Sequence, residues 1–536
     1  MPTEHPIRGL LIATALGAAV CLGAGPVRAQ AVAAAPPPQQ PLSAIDWLDR
    51  NAPSATAVPG DARDPQFLDE PPVARSGSVP GITVTPLADE AVRHVGLVPP
   101  SVTGLPPDLW AGSDPDTVSA LLADMPDLRL PAAQSLFYSL LLTEAQGPSG
   151  DRNARDAFSL ARVEALVRLG ALDPAMALIE QAGVDRDIAH FAAYMNIALL
   201  TGAEDQACAR LTAMPYLAPS QAHRVFCAAR GGAWDDAALM LDTGRVLDLI
   251  DPDMVQRLDR FLNADLFEDA TPLRPPREID ALSFRLHDAI GEPLATRSLP
   301  RAYAVADLRD LAGWKAQLEA AERLTRTGAL PDNRLLGIYT DRKPAASGGI
   351  WDRVAALQRF ETALGTQSLD AVTKALPPAW RAMQQARLEA PFASLFAARV
   401  SGLDLSGPAA RIAFEMGMLS PDYEAFAATA PQDMALAPAV SALARGEAPR
   451  ASADDGMLAA VAAGFGADLA RRDLIALARD GELGMAILRS LALLDAGARG
   501  DTAALGAGLA SLRALGLEDT ARRSGIQLLL LEREPG

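Results

Sequence analysis

The feature that most limits this chain is apolar text, mostly Ala and Leu, broken about every 15 residues by Gly, Pro or Asp. Runs that short make a helix of a few turns and must then reverse. None after the amino terminus reaches 18 consecutive apolar residues, short of the roughly 20 needed to cross a bilayer. From about Pro106 onward apolar residues recur three and four apart, as in Val118, Leu121, Leu122 and Met125, then Leu136, Leu140 and Leu141. That period is helical. Breaks at Gly147-Pro-Ser-Gly150, Gly170, Asp173-Pro174, Gly183, Gly202 and Gly231-Gly232 cut the text into helix pairs. Composition agrees: 49% of residues are hydrophobic but only 5% aromatic, which disfavours strands and favours Ala/Leu helices. The expected fold class is all-α, a solenoid of irregular helical hairpins whose contacts run between neighbours rather than through one large core.

The first 31 residues read as a secretory signal. Arg8 precedes an apolar stretch, Leu10 to Gly23, and small residues follow at Val27-Arg28-Ala29 and Ala29-Gln30-Ala31. Cleavage near Ala29 or Ala31 is expected, giving a periplasmic protein with no membrane span in its mature chain. Lipid anchoring through Cys21 is the alternative, disfavoured by Val20 where a small residue is wanted. Removing Glu4, Arg8 and Arg28 takes the formal charge from −18 to −19. Such acidity excludes a protein that tracks nucleic-acid phosphates and favours partners with basic surfaces.

Cysteine use points the same way. Once Cys21 leaves with the signal, Cys208 and Cys227 remain, 19 residues apart on either side of the breaker Met214-Pro-Tyr-Leu-Ala-Pro-Ser220. In an oxidising compartment the pair is expected to bridge two arms of a helical hairpin.

Thirteen of the 42 prolines fall between Ala31 and Pro100. Residues 32–105 are therefore read as a disordered, Pro-rich arm. Two islands interrupt it, Ile45-Asp-Trp-Leu48 and Gln66-Phe-Leu-Asp-Glu70, making Trp47, Leu48 and Phe67 candidate partner contacts; Gly81-Ile-Thr-Val-Thr85 is a candidate strand. Three helical segments should follow: 106–270 with the cysteine hairpin, a less regular 271–380, and 381–536.

Ala161-Arg-Val-Glu-Ala-Leu-Val-Arg-Leu-Gly-Ala-Leu-Asp-Pro-Ala175 resembles the middle of a tetratricopeptide-type unit. Leu169-Gly170 closes one helix and Asp173-Pro174-Ala175 opens the next, Gly170 allowing the tight turn and Ala175 a close helix approach. Similar turns stand at Leu200 to Ala207, Ala229 to Ala237 and Leu493 to Ala503, and the glycines at 170, 202 and 232 lie about 30 residues apart. The family's Trp, Tyr and Pro positions are not met in order, so the likeness is to a degenerate repeat, over about 150–260 and 480–530. It implies an extended binding surface and no particular ligand.

Motifs that carry chemistry are sparse. His94, His190, His223 and His287 stand far apart with no metal-ligand spacing. Asp114-Pro-Asp116 and Asp251-Pro-Asp253 lack the later residues of a calcium loop, and read as capped helix starts. No Gly-Lys dipeptide and no Gly-x-Ser-x-Gly occurs, which removes the phosphate loop and the common nucleophile elbow. Gly464-Phe-Gly466 is a helix break rather than a dinucleotide turn. No cofactor is expected. The loop Asp341 to Gly349, flanked by aromatics, offers Tyr339, Arg342, Lys343, Ser347 and Trp351 as candidate partner-binding residues. The expected function is non-enzymatic: binding or scaffolding other envelope proteins, secretion or flagellar assemblies being candidate clients. A peptidoglycan hydrolase with a helical superhelix is the alternative, although no glutamate stands in a matching acid motif.

Overall fold

A computed structural model describes residues 94–531, apart from 268, 310, 453–455 and 467. The chain divides into two units, Met1–Val84 and Thr85–Gly536; everything below belongs to the second. The expected signal, the two islands with Trp47, Leu48 and Phe67, and the candidate strand at 81–85 lie outside the described residues.

The all-α expectation holds. Among the described residues, helices follow one another from Pro100–Thr103 to Glu518–Leu530, and the extended structure consists of His94–Val95 paired antiparallel with Ala145–Gln146, plus an isolated bridge from Val98 to Thr143. The helix starts read from sequence are where expected. Asp114 accepts a hydrogen bond from the Thr117 amide and Asp251 from those of Asp253 and Met254, each with Pro at the first helical position. These caps satisfy amides that the first turn leaves open. One helix defies its sequence: Pro377 and Pro378 sit inside Leu369–Ala386.

One turn recurs. Gly170, Gly202, Gly232, Gly481 and Gly516 all have φ between 83° and 88°. Five residues after each comes Ala175, Ala207, Ala237, Ala486 or Ala521, every one with no solvent exposure. Glycine adopts this left-handed backbone without a Cβ penalty, and the alanine lets the second helix of the hairpin lie close against the first. The hairpins so formed include Arg152–Leu169 with Leu172–Ala182, and Ile188–Thr201 with Glu204–Ala213.

Two expectations need correction. The folded body begins before 106: residues 94 and 95 are in the β-pair, the Leu97 and Val98 amides both donate to the Leu142 carbonyl, and Leu105 is buried. The proline-rich composition of 94–105 does not prevent docking, because prolines 99 and 100 fall where a short helix starts. Nor is the body a stack with only neighbour contacts. One hydrophobic cluster takes residues from Leu105 to Ala306 and again from Phe414 to Leu528; a second is built from Ala304 to Leu419. Val305, Ala329, Phe426 and Leu530 pack against both. The segment boundaries at 270 and 380 therefore do not divide the core.

The last helices close on the first. The Gly484 amide donates to the Leu109 carbonyl at 3.0 Å, the Arg129 amide to the Asp495 carboxylate at 3.0 Å, and the Ala132 amide to the buried Gln527 side chain at 2.8 Å. The middle is tied in as well. Arg301 pairs with Asp127 at 2.8 Å, and the Thr327 hydroxyl donates to the Leu169 carbonyl at 2.8 Å.

Candidate functional site

The loop chosen from sequence is split by the fold. Arg342, Lys343 and Ser347 are exposed, with Arg342 paired to Asp341 at 2.9 Å. Tyr339 is fully buried, and its hydroxyl donates to Glu322. Arg353 grips that carboxylate with two bonds of 2.7 and 2.9 Å, and Arg326 reaches it at 3.3 Å. Burial, then the neighbouring Glu322 charge, hold the Tyr339 hydroxyl well above its usual range. Trp351 is half-buried and packs on Trp314 with ring centroids 5.3 Å apart. The two aromatics thus anchor the loop to the core instead of facing a partner. Trp314 and Glu322 lie on the helix Trp314–Thr325, Tyr339 on Asp332–Thr340 and Trp351 on Ile350–Gly365, so these contacts depend on how three helices pack.

Cys208 and Cys227 are joined, as expected, and both are buried between Glu204–Ala213 and Gln221–Arg230. The bridge faces the core and has a structural role.

An unexpected surface lies on the next helix. Trp234–Val246 buries only Ala237, Leu241 and Gly244, an inward stripe with steps of four and three residues. A Cβ on Gly244 would stand 2.7 Å from Ile250 Cδ1, so this side is in close contact. On the other side Leu239 is 68% and Val246 81% exposed; seven residues apart, they share a face. Leu247 and Leu249, in the turn beyond, are 60% and 59% exposed. That turn is held by the Leu249 amide donating to the Gly244 carbonyl at 2.8 Å. Leucines set outward in water cost free energy, and clustered exposed apolar groups mark contact surfaces more often than isolated ones do.

Charge around these leucines is one-sided. Between Trp234 and Asp253 stand Asp235, Asp236, Asp242, Asp248, Asp251 and Asp253 against a single cation, Arg245, which is already paired with Asp242. Asp251 is engaged as a helix cap; all six are exposed. An apolar face rimmed by carboxylates can take up a segment that is apolar on one side and basic along its edges.

Sequence reasoning missed this face. The signal was available: Ala237 to Val246 holds apolar residues on every side of the helix, more than the single stripe a surface helix needs. Deciding which side turns outward required the packing of Ala237, Leu241 and Gly244.

Among the described residues no group of three or more His, Cys, Asp or Glu side chains is placed to hold a metal ion, and no helix is long and apolar enough to cross a membrane. Comparisons with protein-family models, with curated proteins and with solved structures give no match.

Proposed function

We propose that the protein is a non-enzymatic binding or scaffold protein, exported to the periplasm, built on degenerate tetratricopeptide-like hairpins. The observation that carries this reading is the outward set of Leu239, Val246, Leu247 and Leu249 within an aspartate rim. Its partner is another envelope protein presenting a basic, amphipathic segment. The recurring glycine–alanine turn supports the repeat assignment, and the Cys208–Cys227 bridge supports an oxidising compartment.

The test uses a photo-crosslinking residue at Val246, introduced into the full chain in cells. A discrete adduct is expected, weakened in extracts by added salt and lost in Leu239→Asp, whose helix content and melting temperature stay at wild type. Equal adducts from Val246 and from an exposed control site such as Ser347 would refute the face. Clearing of a peptidoglycan gel by the purified chain would refute the non-enzymatic reading.

A further inference from the structure

A second site lies away from that face. A cavity of about 330 Å³ opens where the helix Arg152–Leu169 meets the β-pair and the end of Leu172–Ala182. Its walls include Val95, Ala145, Pro148 and Phe158, and its polar groups are Arg155, Asp156, Ser159, Arg162 and Arg186, with the Gly147–Gly150 loop at one side. The volume falls in the range of small-molecule pockets.

Two observations bear on its chemistry. First, Arg162 is only 2% exposed, yet among the described residues its guanidinium donates to backbone carbonyls alone: Leu141 at 2.6 and 3.1 Å, Val95 at 2.8 Å and Thr143 at 3.1 Å. No described carboxylate pairs with it. The carboxylate in the cavity wall, Asp156, pairs with Arg186 at 2.8 Å. Three guanidinium groups therefore face one carboxylate. A buried cation without a counter-charge is costly; desolvation pushes Arg162 down to about 10 from its usual value. Second, the Ser159 hydroxyl oxygen is buried and has no hydrogen-bond partner among the described residues. An orphaned buried donor beside an uncompensated cation is the arrangement an incoming anion would complete.

We propose that this cavity is a binding site for a small organic carboxylate. The carboxylate balances Arg162 with help from Arg155 and accepts from Ser159, while an apolar body lies against Phe158, Pro148 and Val95. Those apolar walls disfavour a compact, fully hydrated anion such as sulfate, which would lose water there without replacement. A second cavity, sharing Ala182 and Arg186 and lined also by Arg152, Glu180, Asp185 and Arg210, adjoins the first. It gives a longer ligand, such as the carboxyl end of a peptide, somewhere to extend.

The experiment is isothermal titration of the full mature chain, disulfide intact, with hexanoate, hexanamide, sulfate and a Gly-Gly-Phe peptide in free-acid and amidated forms. Hexanoate is expected to saturate one site, with hexanamide and sulfate not binding. Affinity should fall about fivefold or more in both Ser159→Ala and Arg155→Gln, the loss of one polar contact each. These two variants carry the test, because Arg162→Met would also strip three carbonyls of their donor. A free-acid peptide binding more tightly than hexanoate, and its amide not at all, would assign the carboxylate to a chain end; hexanoate tighter than the peptide assigns it to a small molecule. No saturation by about 10 mM, equal affinity for hexanamide, or unchanged affinity in both variants overturns the site.

Discussion

Closure of the last helices on the first can be tested with one methyl group. Gly484 is the second residue of the helix Leu483–Ala498, and a Cβ there would stand 2.3 and 2.4 Å from Cε3 and Cζ3 of Trp110. Trp110 has no solvent exposure and packs against Phe158 at 5.4 Å, so the ring has no room to retreat. Overpacking of this kind costs about 1–3 kcal/mol, and the overlap with a rigid ring places it near the top. Alanine returns about 0.5–1 kcal/mol of helix propensity, leaving Gly484→Ala destabilised by about 2 kcal/mol, or roughly 30-fold in the folded-to-unfolded ratio. Gly337, exposed within Asp332–Thr340, has nothing within 4 Å of its virtual Cβ. There the same substitution should stabilise by about 0.5–1 kcal/mol. Urea unfolding followed by circular dichroism gives both signs. Hydrogen exchange supplies the decisive part: in Gly484→Ala, protection should fall both near 105–142 and near 483–530, although these segments are hundreds of residues apart in sequence. Loss confined to the carboxyl-terminal helices, or a neutral Gly484→Ala, would refute the closed packing.

Other outcomes follow from the same structure. Replacing Cys208 and Cys227 by Ser should cost about 3 kcal/mol by releasing a loop of 19 residues in the unfolded chain; thiol labelling of unfolded, unreduced protein should find no reactive cysteine, and two would contradict the bridge. Tyr339→Phe removes a donor from buried Glu322 and should lower stability by about 1–3 kcal/mol without altering the Val246 adduct; a lost adduct with unchanged stability would restore Tyr339 as a contact residue. Burial pushes the His223 imidazole down to about 4 from 6.5. As pH falls through 6.5 the unfolded chain takes up a proton that the folded one refuses, so stability is lost between about pH 6.5 and 4. In His223→Gln that part of the melting-temperature profile should be flatter; an unchanged slope would place the loss elsewhere.

Several elements were legible because their causes are local. Asp114 and Asp251 cap helices through side-chain oxygens two or three residues from the amides they satisfy. Gly170, Gly202 and Gly232 end helices because the left-handed turn needs no Cβ. The cysteine pair was readable from spacing and from the breaker between its arms. The candidate site was less so. The sequence marked Tyr339 and Trp351 by composition alone, and an aromatic beside a charged loop reads the same whether it faces water or Glu322. Leu239 and Val246 were the converse, apolar residues that composition assigns to a core.

The sequence by itself therefore determined most of the helices and the hairpin turns, which depend on a few adjacent residues, and the disulfide, which followed from cysteine number and spacing; the helix Leu369–Ala386, with Pro377 and Pro378 inside it, is the exception. Tertiary structure decided which faces were buried, because that depends on surfaces distant in the chain. Trp110 meets Gly484, Ala132 meets Gln527, and Arg301 meets Asp127. Those meetings turn a row of hairpins into a body whose ends support each other. They leave Leu239 and Val246 outside it, and Arg162 inside it without a counter-charge among the described residues.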